Sequence, residues 1–251
     1  MQQYLSPNWS TPPNIRAYIT TRNGGFSQKP YTNFNLGDHV GDNPKTVQKN
    51  RTKLKSDLKL INEPIWLKQT HSTKVICLDN QITKSQPEEA DASYTTQPNV
   101  ICAVLTADCL PLLLTAKDGS VVAAIHAGWQ GLAAGIIENT LLKLKTITKL
   151  EDLLVWLGPA IGPKAFLVKD DVRQQFLQKD PKTELAIHKH GENTWLVDMY
   201  AIAKQRLHAY NVTKIYGSDF CTYTDQELFF SYRRDQQITG RMASLIYKLP
   251  Q

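Results

Sequence analysis

Short apolar runs bounded by turn residues or charges are the clearest pattern along this chain. Such runs are typical of buried β-strands. They predict strands at residues 15–20, 65–69, 74–78, 100–105, 112–115, 121–126 and 153–157. The most apolar stretch, residues 100–116, contains Asp108 and Pro111 and falls short of the ~18 residues that a membrane-spanning helix needs. It therefore predicts a buried pair of strands, and no membrane partner is expected.

Four helices are predicted where capping residues or glycines precede apolar positions that share one helical face. The first helix is expected over residues 44–60 and the fourth over residues 198–210. The second is expected to begin near residue 129 and the third at residues 170–171. The residues expected to face inward are Val47, Leu54 and Leu58 in the first helix, Leu132, Ile136 and Leu142 in the second, and Val172 and Phe176 in the third.

The order of these elements predicts the fold class. Strands and helices alternate, but hairpins intervene, which is typical of an α/β protein with a mixed sheet. No G-x-G-x-x-G motif follows a strand and no Walker-type phosphate loop occurs, which argues against a dinucleotide-binding fold. The sequence has no repeat, low-complexity tract or linker, so a single domain over residues 1–251 is expected.

Composition excludes several classes of protein. A hydrophobic content of 41% over 251 residues can build a core, so disorder is excluded. The net charge of +6 comes from scattered residues; it does not indicate a nucleic-acid partner, and it is compatible with anionic small substrates. The first residues show no signal or transit peptide, which predicts a cytoplasmic location. No pattern indicates an oligomeric state.

Three side chains that can bind metal lie near the ends of apolar strands: His71, Cys109 and His126. The four cysteines of the chain are far apart without C-x-x-C spacing, so they are expected to be reduced thiols. Two imidazoles and one thiolate suit a catalytic zinc site, which has three protein ligands and one open position. The three residues are widely separated in sequence, so structural roles for the histidines and a core role for Cys109 stay open.

The same residues have a second possible chemistry. Cys109 is a candidate nucleophile, since a neighbouring imidazole from His126 or His71 lowers the pKa of a thiol and accepts its proton. Asp108 is then a candidate to orient the base. A metal and a free nucleophile cannot use the same sulfur at once, so a metal assay separates the two hypotheses.

Two further groups are candidates for anion binding. Gly128, Gly131 and Gly135 surround a predicted helix start, where exposed N–H groups can bind phosphate or carboxylate. Chain reversal with close packing explains the glycines equally well. The arginines that could bind an anion through their planar guanidinium groups are Arg51, Arg233, Arg234 and Arg241.

Eight segments together resemble the YfiH-like family, formerly called multicopper polyphenol oxidases or laccase-domain proteins. In order along the chain, they are TRNGGFS at 21–27, NFNLG at 33–37, QTH at 69–71, ADA at 90–92, TADCLP at 106–111, HAGW at 126–129, GPAIGP at 158–163 and SYRRD at 231–235. The resemblance implies a mixed α/β sandwich that is also found in certain cysteine-hydrolase toxins.

The resemblance also implies an activity and its residues. The activity would be a zinc-dependent purine nucleoside phosphorylase for adenosine, inosine and S-methyl-5′-thioadenosine, with adenosine deaminase activity. Zinc would be bound by the two histidines and the cysteine, with Asp108 as a proton carrier. The substrate pocket would include Arg51, Asn35 and Gly128.

The sequence is also compatible with three alternatives. Copper is an alternative metal for a two-histidine, one-cysteine site, but the six histidines of this chain are too few for a multicopper laccase. Gln130 stands where the family usually has arginine, which keeps open a zinc-stabilised binding module without turnover. A cysteine-type amidase acting on peptidoglycan precursors is the other alternative.

Overall fold

The computed structural model describes residues 2–79 and 87–250. The predicted domain of residues 1–251 also includes residues 1, 80–86 and 251, which lie outside the described part. The strands are β1 (Tyr4–Leu5), β2 (Ile15–Thr20), β3 (Val75–Cys77), β4 (Ala92–Thr95), β5 (Cys102–Thr106), β6 (Leu110–Ala116), β7 (Val122–Ala127), β8 (Leu153–Leu157), β9 (Leu167–Lys169), β10 (Ile187–Gly191), β11 (Thr194–Val197), β12 (Lys214–Gly217) and β13 (Met242–Lys248). The α-helices are α1 (Pro44–Asp57), α2 (Trp129–Ala134), α3 (Ile136–Leu144), α4 (Asp170–Lys179) and α5 (Met199–His208).

These strands form three sheets. The largest has the order β12-β8-β6-β7-β4-β3, with parallel pairing at both edges and antiparallel pairing between the inner strands. A second sheet has the antiparallel order β1-β2-β13-β5, and a third has the antiparallel order β10-β11-β9. The predicted mixed α/β fold is therefore confirmed.

The two larger sheets pack in layers because alternate strand residues point to opposite faces. Leu112 and Leu114 of β6 join a core with helices α2 to α5, whereas Leu113 joins a core shared with the second sheet. The far face of the second sheet, including Leu245, packs against Leu54 of α1. The order of layers is thus helices, large sheet, second sheet and α1. The relation to cysteine-hydrolase toxins stays a prediction.

Two of the predicted strands, β2 and β8, are found at the predicted residues. Residues 65–69 do not form a strand and make only isolated bridges. The side-chain amide of Gln69 bonds both the N–H and the C=O of Leu105, at 2.7 Å and 2.8 Å. The Gln69 side chain therefore forms the hydrogen bonds with Leu105 that a neighbouring strand would otherwise form through its backbone.

The second predicted helix is two helices in the structure. Gly135 ends α2 and begins α3 with a φ of 106°, a left-handed conformation that interrupts a helix. The break changes which residues of α3 face the core: Leu141 and Leu144 are buried, whereas Leu142 is 50% exposed. The prediction that Leu142 faces inward was therefore wrong. No helix in the described ranges is long and apolar enough to cross a bilayer.

Candidate metal centre

Three distant segments bring His71, Cys109 and His126 together. Cys109 lies in the turn between β5 and β6, and His126 lies near the end of β7. Strands β6 and β7 pair antiparallel with Leu110 opposite Ala127, so the start of one strand meets the end of the other. His71 reaches the same place from the segment before β3, with a φ of 59°. The candidate ligand atoms of the three residues lie within 4.8 Å of one another.

The geometry suits a small metal ion. The Cys109 Sγ and His71 Nε2 atoms are 3.6 Å apart, close to the roughly 3.5 Å that tetrahedral zinc with ordinary Zn–S and Zn–N bonds imposes. The two imidazole rings lie edge to face, with centroids 4.8 Å apart. Two imidazoles and a thiolate are donors that zinc and copper both accept. The residues therefore fit the implied metal.

A fourth residue, Asp91, joins the segments that carry these ligands. It is fully buried just before β4. One of its carboxylate oxygens accepts hydrogen bonds from His126 Nδ1 at 2.8 Å and from the His71 N–H at 3.0 Å. The other oxygen accepts from Ser72 N and Oγ, both at 2.7 Å, and from Thr70 N at 3.2 Å. Asp91 thus leaves Nε2 of His126 free for a metal.

No sequence pattern indicates a role for Asp91. Its Ala-Asp-Ala segment was part of the family resemblance, which was the one signal that pointed to it. An acidic residue between two alanines has no distinctive chemical pattern. Its partners become visible only when the fold brings residues 70–72 and His126 around it.

The charges of the cluster depend on one another. Burial alone would raise the pKa of Asp91, but hydrogen bonds from His126 and Ser72 outweigh burial and lower it to about 2. Burial also opposes ionisation of Cys109, yet the neighbouring His126, aided by His71, lowers the pKa of the thiol to about 6. Burial disfavours the charged form of His126, but Cys109 and Asp91 raise its pKa to about 9. The metal-free cluster therefore favours a thiolate beside an imidazolium.

A cavity of about 720 Å³ is lined by all three candidate ligands. Its apolar walls include Trp129, Ile161 and Phe166, which suit a flat organic ligand. Its cationic or titratable lining includes Arg241, Arg233, Lys169 and His39. The cavity thus combines an apolar surface, positive charge and a candidate metal site.

Asp108 lines the cavity, but its carboxylate is engaged by neighbouring groups. One oxygen accepts from Thr222 Oγ1 at 2.6 Å, and the other accepts from Ser231 Oγ at 3.0 Å and from the Arg233 N–H at 2.7 Å. Asp108 therefore joins the turn that carries Cys109 to the C-terminal segment. Its role as a proton carrier stays a prediction.

The predicted substrate residues Arg51 and Asn35 lie outside the cavity lining. Arg51 donates to the Leu36 carbonyl, forms an ion pair with Asp38 at 3.2 Å and lies over the ring of Trp66. Asn35 is fully buried, and its Oδ1 accepts from the backbone N–H of Arg241 at 2.9 Å. Asn35 thus contacts a residue of the cavity wall, whereas the contacts of Arg51 lie outside the lining. Direct substrate contacts of both residues stay predictions.

Gly128 also lies outside the lining, directly beside the candidate ligands. A Cβ atom on Gly128 would collide with the His71 ring and would lie 3.2 Å from Cys109 Sγ. The absence of a side chain therefore makes room for the ligands. Phosphate binding by the glycines stays a prediction.

Comparisons with known proteins agree with the sequence motifs. The family model described as "Multi-copper polyphenol oxidoreductase laccase" matches residues 16–248. A Haemophilus influenzae relative named purine nucleoside phosphorylase is 51% identical over 98% of this chain and 99% of its own length. An Escherichia coli relative named purine nucleoside phosphorylase YfiH is 46% identical over the same shares.

Solved structures show the same relationship. A Neisseria meningitidis protein gives a TM-score of 0.93 at 42% identity and covers 99% of this chain and 100% of its own. A Bacillus licheniformis protein called YfiH gives a TM-score of 0.87 at 30% identity, covering 94% of this chain and 93% of its own. The chain therefore belongs to the YfiH-like family, the family that the laccase-type model describes.

Proposed function

We propose that this chain is a zinc-dependent purine nucleoside phosphorylase that also deaminates adenosine. The observation that carries the proposal is the cluster of His71, Cys109 and His126 in the wall of a large cavity. Relatives named purine nucleoside phosphorylase match nearly the whole chain, which supports the same reaction here. The proposed substrates are adenosine, inosine and S-methyl-5′-thioadenosine, with phosphate as the second substrate. The cytoplasmic location stays a prediction.

The two reactions make different demands on the cavity. In phosphorolysis, a phosphate oxygen bonds to C1′ of the ribose, the bond from C1′ to the purine nitrogen breaks, and the departing purine gains a proton. In deamination, water adds at C6 of adenosine and ammonia leaves. A bound zinc supplies a Lewis acid that stabilises negative charge developing on an oxygen beside it.

The protein's own residues supply position and charge. Asp91 orients His126 through a hydrogen bond to Nδ1 and orients His71 through its backbone N–H. Trp129 and Phe166 offer aromatic surfaces that suit a purine ring. The cationic lining suits phosphate. We therefore expect the purine ring to lie against the aromatic side chains and the phosphate to lie against the cationic lining of the cavity.

A cysteine-type hydrolase, with peptidoglycan precursors as substrates, is the second candidate. Two contacts favour it: Cys109 lies beside His126, and His126 is hydrogen-bonded to Asp91. This arrangement has the order nucleophile, base and orienting carboxylate. The lowered pKa of Cys109, about 6, also suits a nucleophile. Because the thiolate would be a zinc ligand in the first candidate, metal content separates the two.

The deciding experiment measures metal content and product in the same preparation. Protein purified without added metal or chelator is analysed for zinc and copper, then incubated with adenosine or inosine, with and without phosphate. We expect about one zinc per chain, free base formed only with phosphate, and inosine formed from adenosine without it. His71→Ala should lose both the metal and the products.

The matched control is His188→Ala. His188 is an exposed histidine on β10 and lies outside the cavity lining, so its variant should match wild type. Absence of metal with rapid alkylation of Cys109 and intact nucleosides would overturn the proposal in favour of the hydrolase. Bound zinc with intact nucleosides would instead leave a non-catalytic zinc-stabilised module. If the protein contained one copper per chain and formed the expected products, the proposed reaction would stand and only the identity of the metal would change.

A further inference from the structure

The structure separates the four candidate arginines into two kinds. Arg51 is paired with Asp38, and Arg234 is paired with Asp235 through contacts of 2.8 Å and 3.1 Å. Arg233 and Arg241 line the cavity instead, and neither forms an ion pair with a carboxylate anywhere in residues 2–79 or 87–250. A guanidinium that faces a cavity without a carboxylate partner can neutralise an incoming anion.

Arg241 is held in place by several independent contacts. Its backbone N–H donates to Asn35 Oδ1, and its Nη1 donates to the carbonyls of Thr239 and Gly240 at 2.9 Å and 3.0 Å. Its side chain packs on Gly37, where an added Cβ would lie 2.8 Å from Arg241 Cγ. Because these contacts already hold the side chain, ligand binding would cost less conformational entropy.

The guanidinium of Arg241 retains free donors. Within the described part of the chain, Nε and Nη2 of Arg241 donate to no protein group, while Nη1 is engaged. The guanidinium also lies over the ring of Tyr232, 5.7 Å from its centroid. Burial lowers the pKa of Arg241, but a guanidinium remains protonated at neutral pH. A fixed cation with two unused nitrogens therefore lines the cavity that contains the metal cluster.

Two carboxylates line the same cavity, Asp108 and Asp171, and within the described residues neither forms an ion pair with Arg241. The oxygens of Asp108 accept hydrogen bonds from Thr222, Ser231 and the Arg233 backbone. Arg233 donates through Nη1 to the Leu167 carbonyl at 2.8 Å and lies over Phe166. Arg233 is exposed to solvent, so its charge is screened more strongly than that of Arg241.

We propose that Arg241 binds the phosphate that attacks the nucleoside, with Arg233 as a weaker second cation in the same cavity. This assignment rests on the proposed function for its substrate. It gives Arg241 the anion-binding role for which the sequence offered four arginines, Arg51 among them. Asn35 and Gly37 act as positioning residues for Arg241. Planar guanidinium nitrogens match two phosphate oxygens, which a single ammonium group cannot do equally well.

The test measures phosphate binding separately from turnover. Inorganic phosphate is titrated calorimetrically into metal-loaded wild type, Arg241→Gln, Arg241→Lys and Arg233→Gln. Loss of a charge-assisted hydrogen bond predicts about 10- to 100-fold weaker phosphate binding for Arg241→Gln. Arg241→Lys should recover part of the affinity, and Arg233→Gln should lose less than about tenfold because its side chain is exposed. The KM for phosphate should rise while the KM for nucleoside stays near wild type.

Lys189→Gln is the charge-matched control. Lys189 is exposed on β10, outside the cavity lining, so its loss changes net charge without changing the proposed site. Circular dichroism and metal content verify that each variant is folded and loaded. If Arg241→Gln misfolds, the comparison of folded Arg241→Lys with wild type decides.

The outcomes distinguish this inference from the proposed function. Folded, metal-loaded Arg241 variants that bind phosphate within twofold of wild type would overturn the inference, even if nucleosides are cleaved. Phosphate binding that requires Arg241, in a wild-type protein that leaves every nucleoside intact, would support the phosphate site and reject the phosphorylase.

Discussion

At the scale of single residues, the site depends on one buried carboxylate. Asp91 accepts five hydrogen bonds, and these connect His126 with the backbone of residues 70–72. A metal-binding histidine commonly donates its second ring nitrogen to a carboxylate, which fixes the ring and its tautomer. Here the same carboxylate also fixes the backbone of the second histidine. The geometry of two candidate ligands therefore depends on a residue outside the candidate ligand set.

The first prediction concerns Asp91→Asn. Either orientation of the asparagine amide places its NH₂ group against N–H donors that now face an oxygen. We expect zinc affinity to fall about 10- to 100-fold, the usual cost of losing such a partner. Competition with a chromophoric chelator measures the affinity.

Asp79→Asn is the matched control for Asp91→Asn. Asp79 accepts hydrogen bonds from Thr95 and Thr96 and does not line the cavity. Its variant should keep wild-type zinc affinity even if it unfolds more readily. An Asp91→Asn protein that binds zinc as tightly as wild type would show that the histidines do not need this carboxylate.

The second prediction concerns the pH dependence of Cys109 in the metal-free protein. The thiolate is the reactive form, and the pKa of Cys109 is lowered to about 6 from an ordinary 9.0. The pKa is depressed, so the thiolate persists well below pH 9.0 and is lost as the pH falls through about 6. The alkylation rate of the Cys109 peptide, followed by mass spectrometry, should have its midpoint there.

Cys102 provides an internal comparison. It is fully buried, and burial raises its pKa to about 12, so it should stay unmodified while the protein is folded. Added zinc should protect Cys109 and leave Cys102 unchanged. A Cys109 midpoint near pH 9 would mean that His126 and His71 do not activate the thiol.

At the scale of elements, the pairing of β6 with β7 explains why Cys109 and His126 meet. The antiparallel register places Pro111 opposite His126, so a residue just before β6 lies beside one near the end of β7. The apolar runs predicted both strands, and the family motifs singled out both ligands. Sequence spacing alone could not join them, because the register of the hairpin depends on which strand faces are buried.

Other features could not be predicted because they depend on distant contacts. The inward orientation predicted for Leu142 assumed one continuous helix. The left-handed residue Gly135 interrupts that helix, and Leu142 faces solvent instead. Arg51 and Arg241 have the same chemistry in the sequence. They differ in the structure because Asp38 neutralises one, while Asn35, 206 positions away, fixes the backbone of the other.

The third prediction concerns the start of α2. A Cβ atom at Gly128 would collide with His71 and crowd Cys109. We expect Gly128→Ala to weaken zinc binding and, through overpacking, to lower the free energy of unfolding by about 1–3 kcal/mol. Chelator competition and denaturant unfolding measure the two effects.

Gly191→Ala is the control for this steric argument. A Cβ at Gly191 would meet only the side-chain oxygen of Thr194 in the β10–β11 hairpin, so zinc affinity should not change. If Gly128→Ala kept its zinc affinity and raised only the KM for nucleoside, Gly128 would act through substrate and not through its space for His71.

At the scale of the whole molecule, the candidate metal cluster connects an edge of the large sheet to its interior. Cys109 and His126 belong to inner strands or their turns, whereas His71 lies before β3, the edge strand. Without metal, this connection depends on Asp91 and its hydrogen bonds to residues 70–72. A bound ion would add a cross-link between segments that are far apart in sequence.

The fourth prediction follows from this cross-link. A ligand that binds only the folded state at 1,000 times its Kd stabilises it by about 4 kcal/mol, which corresponds to roughly 8–16 °C in Tm for a domain of this size. Removing zinc with a chelator should lower the Tm of wild type by that order, with loosening first at residues 70–72 in hydrogen exchange. His71→Ala should respond much less, whereas His188→Ala should respond as wild type does. An unchanged Tm after verified metal removal would mean that the fold holds the three candidate ligands together without the ion.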